Sequence, residues 1–124
     1  MHTKKRPVFL SLPRIHLPVA GVASILHRVS GVVLFLSLSA ASGLFSLSLQ
    51  DPAGWRAFQA VLYGWPGRVG LMLVLWALLH HLFAGIRHLL LDLHIGLDRP
   101  LYRYSAWGVL IAAPVVALWL GVLL

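Results

Sequence analysis

Four histidines, an arginine and an aspartate stand in the stretch LLHHLFAGIRHLLLDLHIG, residues 78 to 96, which is otherwise almost wholly apolar. Ionisable groups are costly in hydrocarbon, so in a segment of this composition each is a candidate for a task. Wound as a helix, His81, Gly85, His88 and Asp92 fall within an arc of roughly 60° on one face. His80 and Arg87 share a different face, about a quarter turn away. If Asp92 marks a membrane interface, eleven residues at about 1.5 Å each place His81 roughly 16 Å inward, near the bilayer centre. One explanation of so deep an imidazole is a hydrogen bond across to a neighbouring helix. The sharper one is axial ligation of a haem, because imidazole suits iron and a helix face can present it to a bundle core. Gly85, four positions on, leaves room beside the backbone for a flat macrocycle. His88 lies about 10 Å nearer the interface, where the propionate edge of such a haem would come. Arg87 is expected to snorkel to the headgroups. Asp92 reads as a helix-end residue able to pair with Arg87 or Arg99, and His94 as interfacial without a role.

A second polar group precedes this one, in ASILHRVSG, residues 23 to 31. Ser24, His27, Arg28 and Gly31 sit at i, i+3, i+4 and i+7, within about 100° of arc. Such a trio of serine, histidine and arginine can hydrogen-bond an anionic or carbonyl-bearing ligand. The plain alternative is a solvated, snorkelling helix start. His27 comes only about 8 Å from the start of its helix, against about 16 Å for His81. The two depths do not match, so a haem held by two histidines would take its second ligand from another chain.

Helices that carry these residues must lie in lipid. The chain has 124 residues, 60% of them hydrophobic and 10% charged, with mean hydropathy +0.88. A soluble domain of this size cannot hide so much apolar surface. Three segments suffice to cross a bilayer core, which takes about 20 apolar residues: about 22–49, about 69–93 and about 104–124, the last with Pro114 inside it as an expected kink. An all-α membrane protein with three transmembrane helices follows. No internal repeat or second domain is visible, so residues 1–124 read as a single domain. The connections are short; QDPAGWRAFQAVLYGWPGR, residues 50 to 68, reads as an interfacial loop with aromatic anchors.

The formal charge of +7 does not point to nucleic acid. Lys4, Lys5, Arg6 and Arg14 precede the first span and, with Arg99 and Arg103, share one side, against Arg56 and Arg68 on the other. The positive-inside rule then puts the N-terminus in the cytoplasm. Two prolines between Arg6 and the apolar run, and the length of that run from Val29 to Leu49, argue against a cleaved signal peptide. The absence of cysteine removes disulfides, thiolate metal sites and cysteine nucleophiles.

Two motifs, in order, carry a family resemblance. RPVFLSLPRIHLPVAGVASILHRVS, residues 6 to 30, holds an Arg-Pro and then Ser-x-x-His-Arg-x-Ser; HLFAGIRHLLLD, residues 81 to 92, holds His-x-x-x-Gly-Ile-Arg-His and an aspartate. In these the chain resembles the cytochrome b556 anchors of succinate dehydrogenase, the larger of the two membrane anchors of respiratory complex II. The family usually has an aromatic residue or methionine before the aspartate and a small residue two after it, where this chain has Leu91 and His94.

The resemblance implies that His81, rather than His80, is an axial ligand of haem b, with His27, Arg28 and His88 near its propionates. It implies that Ser24 and Arg28 help form a ubiquinone site near the cytoplasmic face. The second haem ligand would come from the smaller anchor subunit, and an iron–sulfur subunit and a flavoprotein subunit would complete the complex in the bacterial inner membrane. The chain would then be one part of a larger heteromeric helix bundle and part of an enzyme, without a succinate-oxidising site of its own. Two rivals stand beside this reading: an anchor of fumarate reductase, and a haem-free structural membrane subunit whose histidines only pack helices.

Overall fold

The computed structural model describes residues 16–123 and consists of helices, with no strand among the described residues. In chain order these are α1 (Val19–Ser48), α2 (Pro52–Tyr63), α3 (Trp65–Asp92) and α4 (Arg99–Leu123). α1, α3 and α4 are long and apolar enough to cross a membrane. Their 30, 28 and 25 residues correspond to about 45, 42 and 37 Å, more than a hydrocarbon core of about 30 Å. The helix ends therefore reach into the headgroup zones. α1 begins, α3 ends and α4 begins at one end of the bundle, the proximal face; α2 lies at the distal face. The basic residues Lys4, Lys5, Arg6 and Arg14 fall outside the described residues.

Each span begins earlier than its apolar run suggests, by three residues in α1, four in α3 and five in α4. Prolines set these starts. Pro18 is the extended residue capping α1, and Pro66 and Pro100 stand in the first turns of α3 and α4. Proline is tolerated there because its missing N–H would have no intrahelical partner anyway. α4 continues through Pro114 as one helix.

The stretch expected to be a loop contains α2. Asp51 is extended and accepts a hydrogen bond from the Gly54 N–H at 2.6 Å, with Pro52 in the first turn. This is an N-cap that the Pro- and Gly-rich composition concealed. α2 lies hard against the end of α1, since a Cβ on Gly54 would collide with the Leu47 carbonyl oxygen.

Small residues at three-, four- and seven-residue steps make the seams of the bundle. They are Ala20, Ala23 and Ser30 on α1; Ala77 and Ala84 on α3; and Ala106, Val109, Ala113 and Ala117 on α4, all buried. Lipid tails are as apolar as leucine, so close backbone approach between small residues, rather than leucine burial, holds such helices together. Large residues such as Phe35, Leu38, Leu89 and Leu118 stay exposed on the outside.

The α3 seam also buries His80 and Arg87, at 1% and 5% exposure, which overturns the expectation that Arg87 snorkels. Its Nε donates to Ser105 Oγ at 3.0 Å and its Nη2 to the Tyr102 carbonyl at 3.1 Å. The guanidinium carbon lies 4.7 Å from the centre of the Tyr102 ring. The early start of α4 brings these partners within reach, so Arg87 ties α3 to α4 instead of pairing with the exposed Asp92.

α3 closes in a Schellman turn. The Ile95 N–H donates to the Leu90 carbonyl and the His94 N–H to the Leu91 carbonyl. His94 takes the left-handed position at φ 62°, where glycine is the usual occupant.

Candidate functional site

Three histidines form a ladder of rings between α1 and α3. His81 and His88 are two turns apart on α3, and His27 of α1 inserts between them. The His27 and His81 rings stack with centroids 4.1 Å apart and planes 18° from parallel; the His27 and His88 centroids are 5.2 Å apart at 58°. Gly85 makes the insertion possible: a Cβ there would lie 3.6 Å from His27 Nε2, and any longer side chain would occupy the place of the ring. The space beside Gly85 is thus filled by His27 rather than standing open.

This arrangement corrects the depth argument about His27. Counting from Val19 rather than 22 puts His27 eight residues, about 12 Å, into its helix. The remaining difference means only that the proximal ends of α1 and α3 are not level. Even so, His27 does not oppose His81 across a common iron. Ligands on opposite sides of a metal meet nitrogen to nitrogen through it, whereas these rings lie face to face.

His81 is oriented by α1. Its Nδ1 lies 3.1 Å from the His27 carbonyl oxygen and 3.1 Å from Ser30 Oγ. A carbonyl can only accept, so Nδ1 is the donor here, and in the neutral imidazole Nε2 then keeps its lone pair. Ser30 is completely buried, and its hydroxyl donates to the same carbonyl at 2.7 Å. Gly31 is the third constraint, because a Cβ there would sit 3.1 Å from His81 Cε1. The contribution of Ser30 was not foreseen; its signal was its position three residues after His27, on the same face.

Ser24 is half-buried, about one turn before His27 along α1, and Arg28, the residue directly after His27, is exposed. The structure thus gathers His27, His81 and His88 and leaves Ser24 and Arg28 at their edge. His80 stands apart: its ring stacks on Trp76 at 5.6 Å, and its Nε2 is the buried side-chain atom without a hydrogen-bond partner among the described residues. His94 is exposed and distant in role from the ladder.

The chemistry of the donor set narrows what the ladder can bind. No group of three or more His, Cys, Asp or Glu among the described residues, the ladder included, is arranged to hold a metal ion. A haem, which brings four nitrogens of its own, needs only one imidazole from this chain. His81 meets that need, with Nδ1–H held by a carbonyl in the manner typical of metal-ligating histidines. His80, closed in at the helix seam, does not.

The profile of the family described as succinate dehydrogenase/fumarate reductase transmembrane subunit matches residues 2–121. The succinate dehydrogenase cytochrome b556 subunit of Coxiella burnetii is 38% identical over 123 residues, covering 95% of each chain. Its counterpart in Paracoccus denitrificans is 29% identical over 112 residues, covering 90% of this chain and 86% of its own. That of Rickettsia felis is 29% identical over 118 residues, covering 95% and 92%.

Proposed function

Since the chain belongs to the family of succinate dehydrogenase/fumarate reductase transmembrane subunits, we propose that it anchors a succinate:ubiquinone oxidoreductase in the bacterial inner membrane. In this reading residues 1–124 form one anchor unit with the N-terminus in the cytoplasm. The chain shares a haem b with a second, smaller anchor subunit, and an iron–sulfur subunit and a flavoprotein subunit complete the complex. Succinate is oxidised elsewhere in the assembly.

One observation carries the haem part of the proposal: the Nδ1–H of His81 is fixed on the His27 carbonyl and Ser30 Oγ, which leaves Nε2 as the free ligand atom. His81 would bind the iron, and His27, Arg28 and His88 would lie toward the propionates. When bound, a haem supplies one-electron chemistry at a potential tuned by its axial ligands. Stacked face to face on His81, His27 is not placed to supply a second ligand, which would then come from outside this chain.

Arg28 and Ser24 would serve ubiquinone. Arg28 is exposed and would favour negative charge developing on a quinone oxygen, a preorganised electrostatic effect. Ser24, four residues earlier on the same face, would donate a hydrogen bond to a quinone carbonyl. Purification through a tag on this chain tests the proposal. A b-type reduced-minus-oxidised spectrum with co-purifying flavin is the expected result, and an assembly with flavin but no haem would refute the haem assignment.

A further inference from the structure

Among the described residues, Arg87 is the single charged one lining a groove of about 630 Å³ between the proximal halves of α3 and α4. The volume is within the range of about 300–1,000 Å³ usual for small-molecule sites. Its walls are apolar: Phe83, Ile86, Leu101, Val109 and Ala112 contribute, and Gly108 opens it, with nothing within 4 Å of where its Cβ would be.

The arginine is built in rather than stranded. It is 5% exposed, held by Ser105 and the Tyr102 carbonyl and stacked on Tyr102. Every one of these partners is neutral. A guanidinium has about five N–H donors and does not lose its charge in proteins. The described residues engage two donors, so the positive charge and spare donors remain beside an apolar channel. Such a charge calls for an anionic acceptor, and phosphate matches the guanidinium fork in two-point geometry.

Position specifies what kind of phosphate. Arg87 is five residues from the end of α3, about 8 Å, at the boundary of headgroups and acyl chains. Phe83, Val109 and Ala112 lie one to two turns deeper. The groove therefore offers a charged contact at headgroup depth and an apolar track running inward. We propose that it binds an anionic phospholipid of the proximal leaflet, its phosphate on Arg87 and an acyl chain along α3 and α4. A zwitterionic lipid supplies its own cation and so compensates Arg87 less well. The site is separate from the histidine ladder, and the inference does not rest on haem or quinone binding.

The test uses the assembly purified through a tag on this chain, exchanged into phosphatidylcholine and titrated with phosphatidylglycerol, with bound lipid counted by native mass spectrometry. Wild type should retain a phosphatidylglycerol that phosphatidylcholine does not displace. Arg87→Gln should weaken that retention by about tenfold or more, the effect of losing a hydrogen bond to a charged group. Gly108→Leu fills the groove without touching the arginine, should abolish retention, and guards against misfolding of the first variant. Equal retention of the two lipids, or wild-type retention by Gly108→Leu, overturns the proposal. So does efficient disulfide cross-linking of a Gly108→Cys variant to a cysteine in a partner helix, which would show protein, not lipid, in the groove.

Discussion

Gly31 offers a way to disturb the histidine ladder without disturbing the bundle. A Cβ at this position would lie 3.1 Å from Cε1 and 3.5 Å from Nδ1 of His81. Relaxed carbon contacts are about 3.5–4.0 Å, so Gly31→Ala pushes the ring away by roughly 0.5 Å. Both partners of Nδ1, the His27 carbonyl and Ser30 Oγ, belong to α1 and stand at 3.1 Å. Retreat from Gly31 is retreat from both, to about 3.6 Å, where an N–H···O bond is no longer effective. Losing it costs about 0.5–1.5 kcal/mol, while replacing glycine by alanine within a helix returns about 1 kcal/mol. The stability of the helix bundle should therefore hardly change, yet the imidazole loses its orientation. Outer contacts of this kind are worth about 10–100-fold in metal affinity. Gly31→Val intensifies the effect, with about 1–3 kcal/mol of overpacking. The assay is the haem-to-flavin ratio of the purified complex, with a thermal melt run in parallel. Haem should fall in the order wild type, alanine, valine, while the alanine melt stays near wild type. An unchanged haem ratio and spectrum in both variants would refute the claim that α1 orients the ligand.

Other perturbations address separate parts of the account. Arg28→Leu should lower ubiquinone reduction at least tenfold, the worth of a hydrogen bond to a charged group, while succinate oxidation with an artificial dye persists; equal loss in both assays would indicate failed assembly. His94→Gly should stabilise the purified complex by about 1 kcal/mol, since a side chain at φ 62° carries a left-handed penalty, and a raised melting temperature is the readout. Asp51→Ala removes the cap of α2, with an expected loss of about 1 kcal/mol, to be read as faster proteolysis or hydrogen exchange in residues 52–63 with the haem spectrum intact.

Much of this architecture was legible in the amino acids, and the gaps have physical causes. Hydropathy located all three spans, because about 20 apolar residues in a row have few other uses. It misplaced their starts, since helices run on into the headgroup zone where Arg99, Tyr102 and Arg103 are at home. α2 was missed although Asp51-Pro52 is a helix-start signal, because Gly54, Gly64 and Gly67 weighed toward a loop. The helical wheel separated the His81 face of α3 from the His80–Arg87 face. It could not say which was buried, and the better clue was Ala77 and Ala84 at seven-residue spacing beside the second face. For the site, the motifs named His27, His81 and His88, but their stacking depends on the relative heights of two helices, which one-dimensional counting from misplaced ends got wrong. Ser24 and Arg28 lie at the rim, and spacing alone left open whether they face a ligand or solvent.

The central claim is that His81, and not its neighbour His80, holds a haem. His80→Leu removes an Nε2 that has no partner together with a contact to the Ala23 backbone, so it should cost no more than about 0.5–1.5 kcal/mol, the worth of one hydrogen bond, and leave the complex assembled. His81→Leu removes the free Nε2. The decisive measurement is the reduced-minus-oxidised spectrum of the two purified variant complexes side by side, at equal flavin. The account expects the b-type signal to be lost or strongly altered in His81→Leu and kept in His80→Leu. A normal signal in His81→Leu with its loss in His80→Leu would contradict it.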